Sequence, residues 1–284
     1  MGVWSWSDPW PLFWLKVLIL QGLFFFARYL LVAGLAQALL VWKGARLHPV
    51  RIYPDGPPTG QKLREFGWSL VTFWVFGFTG VVGFSWTRLG YTQLYREVHR
   101  YGPGYLVFSL VLLVFFHDAY FYWLHRLMHR PNWYWVHQRH HQFRRPTPWA
   151  SFAFGPVEAF LLSWVVPLAL CLFPLHPWTV LAFLWFMTVM NVIGHLGVEL
   201  YPSGLLGRWG LRLLNNATHH GMHHGEFNCN YGLYFNSWDR WLGTNHPLYE
   251  EKVKAILAAR SGLGKKDDPT PEEPTRLQEE EGSG

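Results

Sequence analysis

Cysteine is almost absent from this chain of 284 residues: the only two are Cys171, in an apolar run, and Cys229, just after a histidine cluster. Two distant thiols build neither a disulfide framework nor a thiolate zinc site. Charged residues make up only 15% of the chain, and the basic excess of +6 is scattered through loops, not gathered into a stripe. That distribution speaks against a nucleic-acid partner and suits anionic lipid headgroups. The first ten residues lack a basic region followed by an apolar core and a small-residue cleavage site, so no removable signal peptide is expected. No internal repeat is visible beyond the histidine clusters. The His-Glu-x-x-His pattern of zinc hydrolases is missing too.

Apolar residues are plentiful instead. They make up half of the chain, aromatics 19%, yet the mean hydropathy is only +0.05. Apolar spans must therefore alternate with a large polar portion. Residues 11–42 and 68–86 read as two membrane spans, the first with Arg28 snorkelling or facing protein. Residues 105–116 form a short apolar run that continues through His117, Asp118 and an aromatic stretch, Tyr120 to Trp123. This reads as one helix leaving the lipid, the aromatics serving as interfacial anchors. Two more runs, 160–175 and 178–193, are joined by a tight hairpin at His176 and Pro177, so both begin and end on the same side.

The expected fold is an all-α integral-membrane bundle of four to five spans with a cytoplasmic helical cap. Residues 1–104 form an N-terminal transmembrane region, 105–250 the catalytic domain, and 251–284 a polar, disordered tail. Lys and Arg number five in residues 43–64 and five in 126–145, against three in 88–100. By the positive-inside rule the richer loops, and with them the histidines, face the cytoplasm.

The chain holds 15 histidines, and most lie in three short segments: His117, His125 and His129; His137, His140 and His141; His219, His220, His223 and His224. Spacings of three and four put side chains on one helix face, so each cluster is expected to point its imidazoles one way. Crowded imidazolium ions would repel one another, whereas neutral nitrogens facing a cation would not. The eight histidines of the cluster cores, with His195 on the returning helix, suit two metals with open positions. Imidazole alone does not choose among zinc, copper, iron and nickel. His219 falls off the arc of His220, His223 and His224 and is expected to hydrogen-bond or line a channel. His117 lies about 12 Å before His125, too far to share an ion but close enough to line a channel. Asp118 and Glu158, each in apolar surroundings, are candidates for orienting the histidines.

The runs His125 to His129, His137 to His141 and His220 to His224 resemble the three histidine boxes of the fatty acid hydroxylase superfamily, closest to its sterol desaturase branch. The likeness extends to His117–Trp123, Asn230–Gly232 and Trp238–Arg240 with Gly243 and Thr244, about residues 107–244. It implies a membrane di-iron enzyme that uses O2, and electrons from cytochrome b5 or ferredoxin, to hydroxylate or desaturate a lipid. By resemblance His195 joins His125, His129, His137, His140, His141, His220, His223 and His224 as a ligand. Where fatty acid 2-hydroxylases carry a further histidine, this sequence has Glu199, which argues against that subgroup. Asn230 and Asp239, with Glu199 and His219, are supporting candidates. The rival readings are a zinc-dependent membrane hydrolase and a non-catalytic metal- or lipid-binding membrane protein.

Overall fold

In the computed structural model, residues 6–202 and 213–261 are described. They are helical, with isolated β-bridges and no strand among them. Helices α1 (Trp10–Lys43), α2 (Gln61–Arg88), α3 (Pro103–Met128) and α7 (Pro177–Gly194) are each long and apolar enough to cross a membrane. Prolines at the first helical positions of α1, α3 and α7 cost nothing there, since those N–H groups have no intrahelical partner.

Between α3 and α7 lie the short helices α4 (Tyr134–His141), α5 (Pro156–Ser163) and α6 (Val165–Leu172). The run read as a span at 160–175 is thus two helices of 8 residues interrupted at Trp164. Pro167 has no N–H to bond the Ser163 carbonyl, which explains the break. The hairpin itself is present: α6 ends at Leu172 and α7 starts at Pro177, with His176 capping α7 by accepting from the Trp178 N–H.

Small residues on α2 let its neighbours come close. Gly83 lies against the ring of Pro167, and a Cβ at Gly80 would collide with the Gln21 side chain on α1. Arg28 is 2% exposed, with its guanidinium 4.9 and 4.8 Å from the Phe24 and Phe25 ring centres, so it faces protein and does not snorkel.

A 3-10 turn at Pro148–Phe152 is buried among α1, α2 and α7. Irregular backbone at that depth needs polar partners. Tyr29 and Ser69 hydroxyls donate to the Trp149 carbonyl at 2.8 and 3.1 Å, and Asn191 Nδ2 donates to the Ser151 carbonyl at 2.6 Å. No hydropathy pattern marks this segment as inserted into the bundle.

The loops sort to two ends. Residues 89–102 meet the hairpin tip, where Tyr95 N–H donates to the Leu175 carbonyl and His176 Nε2 bonds the Arg96 carbonyl. At the other end the 44–60 loop reaches the segment after α7, with Ile52 N–H donating to Gly197 and Tyr53 hydroxyl to the Gly221 carbonyl. The grouping agrees with the relative sidedness read from the loop charges.

The expected polar tail begins differently. Tyr249–Ser261 is a helix, docked through Tyr249 and Val253, both fully buried, so the segment has an apolar face that its charge conceals. Residues 262–284 lie outside the described part of the chain.

Candidate dimetal centre

Nine histidines converge where α3 and α7 end. His125, His129, His137, His141 and His223 form one group, and His140, His195, His220 and His224 a second. Within each group the available ligand nitrogens lie within 4.8 Å of one another, close to the ~4 Å across an ion bound at ~2.1 Å. The expectation that each cluster points one way needs correcting. Adjacent residues on a helix diverge by about 100°, so His140 and His141 enter different groups, as do His223 and His224. The i, i+4 pairs His137/His141 and His220/His224 stay together, and each of the second and third clusters therefore feeds both groups.

Five of the nine outer nitrogens are held by fixed acceptors, while Nδ1 of His141 and of His224 is buried without a hydrogen-bond partner. Nδ1 of His125 meets the Tyr231 carbonyl at 2.9 Å, of His195 the Asn191 carbonyl at 2.7 Å and of His223 the Cys229 carbonyl at 2.7 Å. His140 Nδ1 meets the Ala153 carbonyl at 3.4 Å, and His137 Nδ1 the Glu158 carboxylate at 2.5 Å. Donation at Nδ1 leaves Nε2 a bare lone pair. Yet His125 and His137 face each other Nε2 to Nε2 at 3.0 Å, and His140 and His195 at 3.4 Å. His223 Nε2 is buried with no hydrogen-bond partner.

Two lone pairs at such a distance repel unless a proton or a cation lies between them. Burial, reinforced by neighbouring imidazoles, holds His137, His140, His141, His220, His223 and His224 far below the ordinary histidine range. Burial likewise lowers His129 to about 2 and His195 to about 4. Protons are thus excluded, and the donor set fits two cations with nitrogen ligation.

The supporting residues divide by what they touch. Glu158, in the first turn of α5, reaches His137 directly. Asp118 acts at one remove: its carboxylate accepts from the Tyr234 and Phe235 N–H groups at 2.7 and 3.2 Å, not from a histidine. Asp239 accepts from the Tyr231 and Gly232 N–H groups at 2.8 and 2.7 Å, fixing the loop whose Tyr231 carbonyl holds His125. His219 lies outside both groups, 3.4 Å from Asp239, and its carbonyl accepts from Asn230 Nδ2. Glu199 is no ligand-group member either. It accepts from the Thr218 N–H and hydroxyl at 3.0 and 2.7 Å, at the N-terminus of the Ala217–Glu226 helix, where negative charge is favoured. Asn216 caps the same helix by accepting from the His219 N–H.

Backbone carbonyls of Ala153, Asn191, Cys229 and Tyr231 were not legible as site groups. The one local signal is Asn230, whose φ of 58° bends the loop between two of these carbonyls.

The aromatic stretch also splits: Trp123 is exposed as an anchor would be, Tyr122 is fully buried, and Phe121 lines the site. A recess of about 30 Å³ opens between Phe121 and His125, His140, His195 and His220. Phe121, Phe154, Asn191 and Leu233 line both this recess and an apolar cavity of about 730 Å³ that runs between the spanning helices.

An integral-membrane helical bundle with two buried histidine groups, each able to hold a metal ion, at the foot of an apolar cavity is the class so defined. The fatty acid hydroxylase family model matches residues 110–244. A Delta(7)-sterol 5(6)-desaturase of Leptosphaeria maculans is 30% identical over 258 residues, covering 88% of this chain and 68% of that protein. Another from Gibberella zeae is 34% identical over 183 residues, 63% of this chain and 55% of its own. The lathosterol oxidase of Mus musculus is 37% identical over 162 residues, 56% of this chain and 52% of its own. The chain belongs to the fatty acid hydroxylase superfamily, in its sterol desaturase branch. It spans little more than half the length of the Gibberella and mouse relatives it matches. No solved structure matches it.

Proposed function

We propose that this protein is a membrane-bound, O2-dependent di-iron oxidoreductase that introduces a double bond into a sterol-like lipid, as its relatives' names describe for Delta(7)-sterols. The observation that carries the metal reading is the facing of unprotonated Nε2 atoms, His125 to His137 and His140 to His195. The ligands are His125, His129, His137, His141 and His223 for one ion and His140, His195, His220 and His224 for the other. Iron bound there supplies the oxygen-activating chemistry that side chains lack.

The chain's own residues do the rest. Glu158 and the four carbonyls hold five of the nine imidazoles, those of His137, His125, His140, His195 and His223, in one tautomer and orientation. Phe121 and Phe154 bring the lipid to the recess and keep bulk water from it. In the overall balance the lipid gives up two hydrogens with two electrons, an external donor such as cytochrome b5 or ferredoxin gives two more electrons, two further protons come from water, and O2 leaves as two waters. Hydroxylation at the same carbon is the alternative outcome of that electron count.

A zinc hydrolase would need a carboxylate free to act as base beside its bound water. Glu158, which reaches the site, is committed to His137 instead. The loop charges favour a cytoplasmic centre. Labelling sites in 54–60 should react from the cytoplasm and sites in 90–103 should not; finding both on one side would break the span assignment.

The function is tested by anaerobic purification, metal analysis and mass spectrometry of products from a Delta(7)-sterol. About two ions per chain and an iron- and O2-dependent loss of two mass units are expected. A fully occupied one-metal protein, or oxidation of other lipids but never of the sterol, would overturn the corresponding half of the reading.

A further inference from the structure

The apolar cavity contains few polar groups, and most of them are already engaged. Thr79, Thr87 and Ser163 each donate their hydroxyl to a carbonyl of their own helix, and Asn191 donates to Ser151. Three lining side chains remain: Arg96, Gln21 and His117. Arg96 is exposed, stacks over Trp6 with 5.0 Å from guanidinium carbon to ring centre, and belongs to the loop end far from the histidines. Gln21 lies on α1 against Gly80 of α2, also toward that end. His117 alone is close to the centre, eight residues and thus about 12 Å before His125 on α3.

His117 is also held in place. Its Nδ1 meets the Tyr234 hydroxyl at 2.9 Å, and Tyr234 is itself fixed by Asp118, which accepts from its N–H at 2.7 Å. The ring packs against Phe183 and Phe121 at 5.3 and 6.3 Å. Among the described residues nothing bonds its Nε2, although the side chain is only 4% exposed and lines the cavity. That nitrogen is open to the cavity, so the cavity's occupant can supply its partner.

We infer that His117 is the residue that binds the hydroxyl group of the lipid substrate, with the reacting carbon lying between His117 and the histidine groups. This rests on the sterol reading above. A hydroxyl both donates and accepts, so it satisfies Nε2 in whichever tautomer the Tyr234 contact selects. The spacing sets a selection rule. About 12 Å separates His117 from His125 along α3. Once a metal–nitrogen bond of ~2.1 Å and a hydrogen bond of ~2.8 Å are placed within it, the oxidised carbon lies only a few ångströms from the hydroxyl. The 3-hydroxyl and the carbons at positions 5 and 6 of a sterol stand in that relation. A lipid whose hydroxyl is far along a chain from its reacting carbon does not.

The test is equilibrium binding to the detergent-solubilised full chain, with no turnover required. A Delta(7)-sterol and its 3-deoxy analogue are the two probes. Wild type should bind the alcohol about tenfold more tightly than the deoxy compound, the worth of one good hydrogen bond. His117→Phe keeps an aromatic ring and should lose that preference while binding the deoxy analogue unchanged; His117→Gln should restore part of it. Equal affinity of wild type for the two probes overturns the anchor without needing any variant, and so does an alcohol preference that survives in His117→Phe but disappears in Gln21→Leu. Wild type that binds neither probe overturns the sterol reading and the anchor together, whereas sterol binding without the preference removes the anchor alone.

Discussion

The five-histidine and four-histidine groups are built from the same helices but differ in how they are enclosed. The first draws two members from the end of α3, two from α4 and one from the Ala217–Glu226 helix, and Glu158 buttresses it. The second draws one from α4, two from the Ala217–Glu226 helix and one, His195, from the residue capping α7, and no carboxylate among the described residues touches it. His140, His195 and His220 line the small recess, so the group with fewer nitrogens is the one with more of its members at the opening. Nitrogen number and access thus vary in opposite directions: the five-histidine group is the more enclosed and the four-histidine group the more open.

The largest effect should come from removing a member of the smaller group. His220→Ala is expected to abolish activity and to cost about one of two metal ions, since three nitrogens remain where four stood. Its neighbour is the control: His219→Ala should keep most of the metal and lose activity only in part, because His219 lies 3.4 Å from Asp239 and belongs to neither group. Metal analysis of both variants decides it, and the reverse outcome would show that the helical register of the third box is wrong.

Next in size is Glu158→Gln, which keeps the shape of the acceptor but removes its charge. Metal affinity should fall about 10- to 100-fold, the usual cost of losing a group that orients a ligand. The loss should fall on the five-histidine group alone. Sequential metal titration with spectroscopic readout can separate the two sites, and an equal loss at both would undo the contrast.

A smaller effect is expected from pH on the metal-free protein. Both groups contain histidines that folding holds neutral, His129 lowered to about 2 and His195 to about 4. The unfolded chain binds their protons below about pH 6.5 and the folded chain does not, so stability falls as the pH drops through that value and is flat above it. Thermal melts from pH 8 to 5 should show a plateau followed by a decline. A melting temperature that rises on acidification would contradict neutral histidines in either group.

The smallest change should follow Asp239→Asn, which weakens the hold on the Tyr231 and Gly232 N–H groups without touching a ring directly. A modest fall in metal retention at the five-histidine group, with the other intact, is expected from equilibrium dialysis.

Much of this was legible in the sequence, for physical reasons. The span read at 11–42 is the helix Trp10–Lys43, because an uninterrupted apolar run of that length has few other solutions. All nine expected ligands lie in the two groups, and the i, i+4 pairs His125/His129, His137/His141 and His220/His224 stay together as local helix geometry requires. What stayed hidden depends on tertiary contact. The division of His140 from His141 is decided by which neighbour each meets. The carbonyls that fix the rings belong to residues whose side chains carry no signal. The buried turn at Pro148–Phe152 and the broken run at Trp164 both look apolar, and periodicity does not separate an inserted or interrupted segment from a continuous one.

His195 caps α7, a helix of 18 residues and so about 27 Å long, slightly shorter than the ~30 Å hydrocarbon layer of an average bilayer. The second histidine group is thereby mounted on a ruler that the membrane reads. In a thinner bilayer α7 must tilt and in a thicker one the lipid must compress around it, and either adjustment is applied at the residue that belongs to that group. Bilayer thickness then becomes the mechanical setting under which the histidines are aligned.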